Sequence, residues 1–220
     1  MFSLIRLGAL AVCAFLLSPG LTACRGETAS TIVQTKMQEV RAMSLPFGVS
    51  MSQASTEAQG GPLAEVTPST SPMKSYQGNG YTISYPADWS INQGTTNVTM
   101  TEPAMQYGIA IVSLNNPNGT IDANEGLQLE AKDLASNLSN VQDDNIASTT
   151  TEGGETWYQK EFTGTFQGEK VTYAIMVTNH PANTSGTKIF EEVYFAPTNQ
   201  FSQVKAAYIQ PMLTSFAFTA

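Results

Sequence analysis

GYTISYPADWS, residues 80 to 90, is the stretch on which the fold turns. Tyr81, Ile83 and Tyr85 alternate with Thr82 and Ser84, the period-two pattern of a strand with one face buried. Pro86 has no N–H to give a ladder, so the strand is expected to stop there. Ala87 and Asp88 would then turn the chain and bring Trp89 back onto it. N-terminal to this stretch the chain reads as export signal and tether; C-terminal to it, as one folded domain.

The downstream pattern alternates strands and helices. Residues 97–102 read as a strand with Val98 and Met100 on one face. YGIAIVSL, residues 107–114, is almost continuously apolar, as expected of a central strand covered on both faces. The Asn-Asn-Pro-Asn-Gly run at 115–119 is a turn cluster. Asp122 and Glu125 stand three apart like a capping box, and Leu127, Ala131, Leu134 and Leu138 follow at helical spacing, so a helix is predicted over 123–138. Gly126 weakens its first turn by about 1 kcal/mol relative to alanine. A meander follows: 157–166, a Gln167-Gly168 turn, 171–177, a polar loop at 178–187, and 188–196. Phe201, Val204 and Tyr208 mark a last helix that Pro211 should end or kink, before an extended segment at 215–218. Strands joined by short polar turns argue for an α+β fold. The expectation is a single antiparallel sheet of about six strands with helices packed on both faces.

The 220 residues, 41% hydrophobic, allow one core of ordinary size. Residues 1–23 carry one positive charge at Arg6, an apolar run from Leu7 to Leu17, and a small-residue stretch, the make-up of a secretory signal too short to span a bilayer. Leu21-Thr22-Ala23-Cys24 closes it, and this resembles the lipobox of bacterial lipoproteins, in which the cysteine is lipidated and becomes the mature N-terminus. The plainer alternative is an ordinary signal with a chance cysteine. Cys13 leaves with the signal, so no cysteine pair remains for a disulfide or a metal site. Several acyl chains on Cys24 would hold the protein firmly to a membrane's extracytoplasmic face, inner or outer. Residues 24–74 are rich in Ser, Thr, Gln, Pro and Gly and read as a tether, with a short amphipathic helix over 31–43 that is either transient or docked. A coil of about 50 residues reaches on the order of 40 Å, enough to float the domain clear of the head groups.

Residues 75–220 hold five lysines, no arginine and fourteen carboxylates, which leaves the domain nine negative charges. Without an arginine fork and with a repelling field, nucleic acid and anionic head groups are poor partners.

The element order and four segments together resemble the PsbP-like family, named for a lumenal photosystem II protein and sharing its fold with a Ran-binding nuclear-import factor. The segments are GYTISYPADW at 80–89, YGIAIVSL at 107–114, GGETWYQKEF at 153–162 and FSQVKAAYIQPMLTSFAF at 201–218. The resemblance spans about Tyr76 to Ala220. It implies an antiparallel sheet between helical layers, and a non-enzymatic binding or assembly role, in a family some of whose bacterial members are lipoproteins. This chain departs from the photosynthetic members in having one histidine and no positive cluster.

Candidate chemistry is sparse. His180, beside Pro181 in a polar loop, lacks a nucleophile or companion ligands nearby in sequence, and a solvated side chain is the expected state. Glu152 with Glu155, Asp143 with Asp144, and Glu191 with Glu192 are carboxylate clusters. A glycosidase needs two carboxylates facing one cleft, whereas strand neighbours such as Glu191 and Glu192 point to opposite faces, so solvated surface is expected for all three pairs. Asp122-Ala-Asn124 fits a calcium loop less well than a helix cap. Glycosylation-type triplets at Asn97, Asn118, Asn137 and Asn183 are expected to be chance. Tyr85, Trp89, Trp157 and Tyr158 are either core or an aromatic docking patch.

The expectation is therefore a lipid-anchored extracytoplasmic accessory protein. It would bind a protein partner in the envelope or membrane, without catalytic residues, cofactor or metal. The alternatives are a hydrolase or metal-binding module built on Glu152, Glu155, Glu161, Glu191 and Glu192, and a spacer in which the tether matters most.

Overall fold

The computed structural model describes residues 66, 70–104, 106–143, 148–182 and 187–219. The signal, Cys24, nearly all of the tether including residues 31–43, Asp144 and the Asn183 triplet lie outside the described residues. Among the described residues no helix is long and apolar enough to cross a membrane.

The chain runs through β1 (Met73–Gln77), β2 (Tyr81–Pro86), β3 (Ser90–Gln93), β4 (Asn97–Thr101) and β5 (Gly108–Asn115), then a 3-10 turn (Pro117–Gly119) and helix α1 (Ala123–Ser136). There follow β6 (Ser139–Asp143), β7 (Ser148–Glu152), β8 (Glu155–Phe166), β9 (Glu169–His180) and β10 (Lys188–Pro197). A terminal helix in three parts and β11 (Ala217–Phe218) close the fold. All described pairings are antiparallel.

The fold is α+β, but the strands make two sheets rather than one of six. Eight form the main sheet in the order β3-β4-β5-β10-β9-β8-β6, with β7 also on β8, while β1-β2-β11 form a separate three-stranded sheet. Pro86 is the cause of the split. It ends β2, Trp89 N–H donates back to its carbonyl, and the chain enters the main sheet only at Ser90. The extra strands escape the hydrophobic pattern because they bury little: β3 is exposed throughout, and β1, β6 and β7 nearly so. β1 also begins at Met73, two residues before the expected domain start.

The main sheet separates two cores. On one face α1 lays Leu127, Ala131 and Leu134 against Tyr173, Ile175, Val177 and Ile189. Asp122 caps the helix as expected, its Oδ1 accepting from the N–H groups of Asn124 and Glu125 at 2.9 and 3.1 Å. The other face carries the terminal helix and the small sheet side by side, with Ile83, Phe201, Val204, Ile209, Met212 and Leu213 over Met100, Ile111, Met176 and Tyr194. Strand β9, covered on both sides, is buried from Val171 to Thr178.

Pro211 does not end the terminal helix. An α-helical turn (α2, Phe201–Val204) leads into a π-helical turn (Lys205–Ile209), and Pro211 sits at the start of a second α-helical segment (α3, Gln210–Thr214). A π-helical turn, which holds one extra residue, is the local change by which a helix accommodates a proline ring against the carbonyl one turn back.

Two hairpins turn on paired residues at positive φ: Gln167-Gly168 (50° and 93°) between β8 and β9, and Gly153-Gly154 (58° and 85°) between β7 and β8. Asn116, expected in an open turn, is buried: its amide donates to Ile121 O and Asn179 Oδ1, both at 2.9 Å, and its Oδ1 accepts from Ile121 N–H at 3.0 Å.

Candidate functional site

The four aromatic candidates do not form an exposed patch. Trp157 is 0% and Trp89 5% exposed, both in the core on the face of the terminal helix and small sheet, Trp89 against Tyr208 and Trp157 against Phe216 and Phe218, while Tyr85 and Tyr158 are half-buried. Tyr158 packs on the α1 face and Trp157 on the opposite one, as successive residues of a strand must. Trp157 Nε1 donates to Glu152 O at 3.1 Å, which satisfies the indole inside the core.

His180 is not a solvated loop residue. It is the last residue of β9, held by Phe218 of β11, whose ring lies 3.8 Å from the imidazole at 4°, and by Glu155 Oε1, 2.8 Å from Nδ1. The strand runs three residues further into the expected loop because β10 pairs with it as far as Lys188 opposite His180.

Glu191 and Glu192 do point to opposite faces, yet both are buried, since β10 lies mid-sheet with a layer on either side. Glu192 is 0% exposed, and neither carboxyl oxygen has a hydrogen-bond partner among the described residues. Burial first, and the charge of Glu152 second, hold its pKa well above the carboxylate range. Glu152, half-buried rather than solvated, has its own pKa pushed up to about 6 by burial, against the pull of the Lys205 ammonium. Of the other candidate acids, Glu155 is engaged by His180, Glu161 by Lys205, and Asp143 by Lys160 at 2.8 Å. Glu152 and Glu192 are thus the pair that the fold brings together, but a carboxyl with no exposed surface cannot meet a substrate in this conformation. Among the described residues no group of three or more His, Cys, Asp or Glu is placed to hold a metal.

A cavity of about 280 Å³ opens where the β1–β2 turn meets the β3–β4 turn. Tyr76 and Gln77 line one side, Gln93, Thr95 and Thr96 the other, with buried Ser113 of β5 between. Ser113 ties both turns to the main sheet: its N–H donates to Thr96 O and its hydroxyl to Asn79 O, each at 2.8 Å. Lys188 Nζ steadies the same turn, donating to Asn79 Oδ1 at 2.7 Å. Gly78 has to be glycine, because a Cβ there would lie 2.2 Å from the Tyr81 ring. Sequence reasoning missed these residues; the glycine-bearing runs Gln-Gly-Asn-Gly at 77–80 and Gln-Gly-Thr-Thr at 93–96 are the signal of turns that could have pointed to them. That the two turns meet is a tertiary fact with no signature in either.

No family model and no curated protein matches the chain. Among solved structures, LpqN of Mycobacterium tuberculosis, described as involved in cell envelope biogenesis, is 18% identical. The match covers 70% of this chain and 90% of LpqN, with a TM-score of 0.47. The Ran-binding protein Mog1p of Saccharomyces cerevisiae is 12% identical over 68% of this chain and 96% of Mog1p, with a TM-score of 0.46. A protein from Bacteroides thetaiotaomicron is 13% identical over 64% of this chain, with a TM-score of 0.45, and the match spans 45% of its length. Scores and identities this low carry no argument about partner or activity.

Proposed function

We propose that this is a lipid-anchored extracytoplasmic accessory protein of PsbP-like type, whose domain binds a ligand or an envelope partner without converting it. The observation that carries the binding half is the cavity beside Ser113. Amides, hydroxyls, two glycines and two tyrosines line it, with no carboxylate, imidazole or amine among the described residues, so its walls can hold a ligand but offer no strong acid–base pair. The anchoring half rests on the Leu21–Cys24 motif behind an apolar signal run.

The test has two arms. Radiolabelled palmitate should enter the wild-type chain and not Cys24→Ser, and the variant should leave the membrane fraction. A photo-crosslinker at exposed Gln77 or Gln93 should then trap an envelope component that one at exposed Gln210, on the terminal helix, does not. An unlabelled wild-type protein overturns the anchor. Equal trapping from all three positions overturns the cavity as the binding surface.

A further inference from the structure

We propose that the cavity between the β1–β2 and β3–β4 turns takes a neutral, polyhydroxylated ligand the size of a single sugar ring. The inference rests on the binding reading of this cavity and is independent of the lipid anchor.

Charge narrows the class first. The lining residues are amides, hydroxyls, glycines and the two tyrosines Tyr76 and Tyr81, with no carboxylate to hold a cation. An anion meets a domain whose fourteen carboxylates outnumber its six lysines, Lys74 of β1 included, and Lys188, which bonds the lining residue Asn79, already spends two donors there. A neutral ligand remains. Polarity narrows it again: Gln77, Gln93, Thr95 and Thr96 crowd the walls with groups that would be desolvated at a cost by an apolar guest. A sugar hydroxyl both donates and accepts. Primary amides and hydroxyls, which also do both, are its natural counterparts. Tyr76 supplies the complementary apolar surface for the C–H face of a ring; it is half-buried, and its ring is braced at 6.2 Å and 48° by Tyr81.

Size and stiffness complete the case. Ligand cavities run upward from roughly 300 Å³, so 280 Å³ admits a small guest and not an oligomer. The turns on either side are pinned to one residue, Ser113, and Lys188 holds the first a second time. Walls fixed before binding lose little entropy when the ligand arrives, which favours a compact rigid guest.

The experiment is a titration of the full-length protein, solubilised in a detergent without a sugar head group, followed by ligand-observed NMR. The probes are D-glucose, D-galactose, D-mannose and N-acetyl-D-glucosamine, with D-glucuronate as the charged control. At least one neutral sugar should bind saturably, with glucuronate weaker than its neutral counterpart. Gln77→Ala and Gln93→Ala, both at exposed positions with unchanged melting expected, should each weaken binding about fivefold, as loss of one hydrogen bond implies. Gln210→Ala should bind as wild type. Saturation by none of the four sugars, or unaltered binding in both cavity variants, overturns the proposal. Trapping of an envelope component from positions 77 and 93 in the absence of sugar binding would remove the sugar and leave the binding reading in place. Sugar binding by an unlabelled protein would do the reverse to the anchor.

Discussion

Replacing Glu192 by methionine should make this protein more stable, and should do so increasingly as pH rises. Glu192 lies at 0% exposure with two oxygens that find no partner among the described residues, so the fold carries the desolvation of a polar group without compensation, a cost of about 1–3 kcal/mol even when the carboxyl is protonated. Methionine fills nearly the same volume with an unbranched chain and carries no such cost. Ionisation adds a second term. Because the folded-state pKa is raised, the folded protein keeps a proton that the unfolded chain gives up from about pH 4.5 upward. Stability is therefore fullest below that pH and falls as pH rises, by at most about 1.4 kcal/mol per pH unit for each such group, until the folded pKa is passed. Glu152 contributes in the same sense between about 4.5 and its folded value of about 6. Urea unfolding at pH 5 and pH 8 measures both terms. Glu192→Met should gain about 2 kcal/mol at pH 5, roughly 4–8 °C in Tm for a domain of this size, and more at pH 8. Glu192→Gln keeps the orphaned polar atoms but cannot ionise, so it should flatten the pH dependence with little gain at pH 5. A Glu192→Met protein less stable than wild type at both pH values, or a Glu192→Gln protein with the wild-type pH slope, would refute the reasoning.

Three further outcomes follow from particular contacts. Asn116→Ala should cost about 2 kcal/mol in urea unfolding, because it strips the Ile121 N–H of its acceptor and Asn179 Oδ1 of its donor at a fully buried position, while Ile121 O keeps the Asn179 amide. Asp122→Ala should cost about 1 kcal/mol and Asp122→Asn much less, since asparagine also caps; thermal melts of the two variants separate the cap from the charge. Gly153→Ala should cost about 1–2 kcal/mol by the same melts, because φ is +58° there and a Cβ would stand 3.1 Å from the Phe218 ring.

The elements that could be read in advance are those whose own residues bury a face. The opening strand, the central strand at 108–115, α1 with its Asp122 cap and the long meander strands all stand close to where periodicity and capping put them. β1, β3, β6 and β7 were not legible, because edge strands held mainly by backbone hydrogen bonds need no apolar alternation. The site residues divide in the same way. Glu191 and Glu192 lie on opposite faces, as their adjacency requires, but the layers that bury both come from α1 on one side and the terminal helix with the small sheet on the other. His180 reads as a loop residue until Phe218, 38 positions later, stacks on it.

Local chemistry along the chain was enough to place an acidic α+β domain, to cap its clearest helix and to orient the strands that carry alternating apolar residues. Those properties depend on neighbours within a few positions, which the sequence lists directly. The division into two sheets, the sealing of Glu192 and the meeting of two turns at Ser113 arise between residues distant along the chain. They were decided by tertiary packing, because burial and cavity walls belong to pairs of surfaces and no single segment encodes its partner.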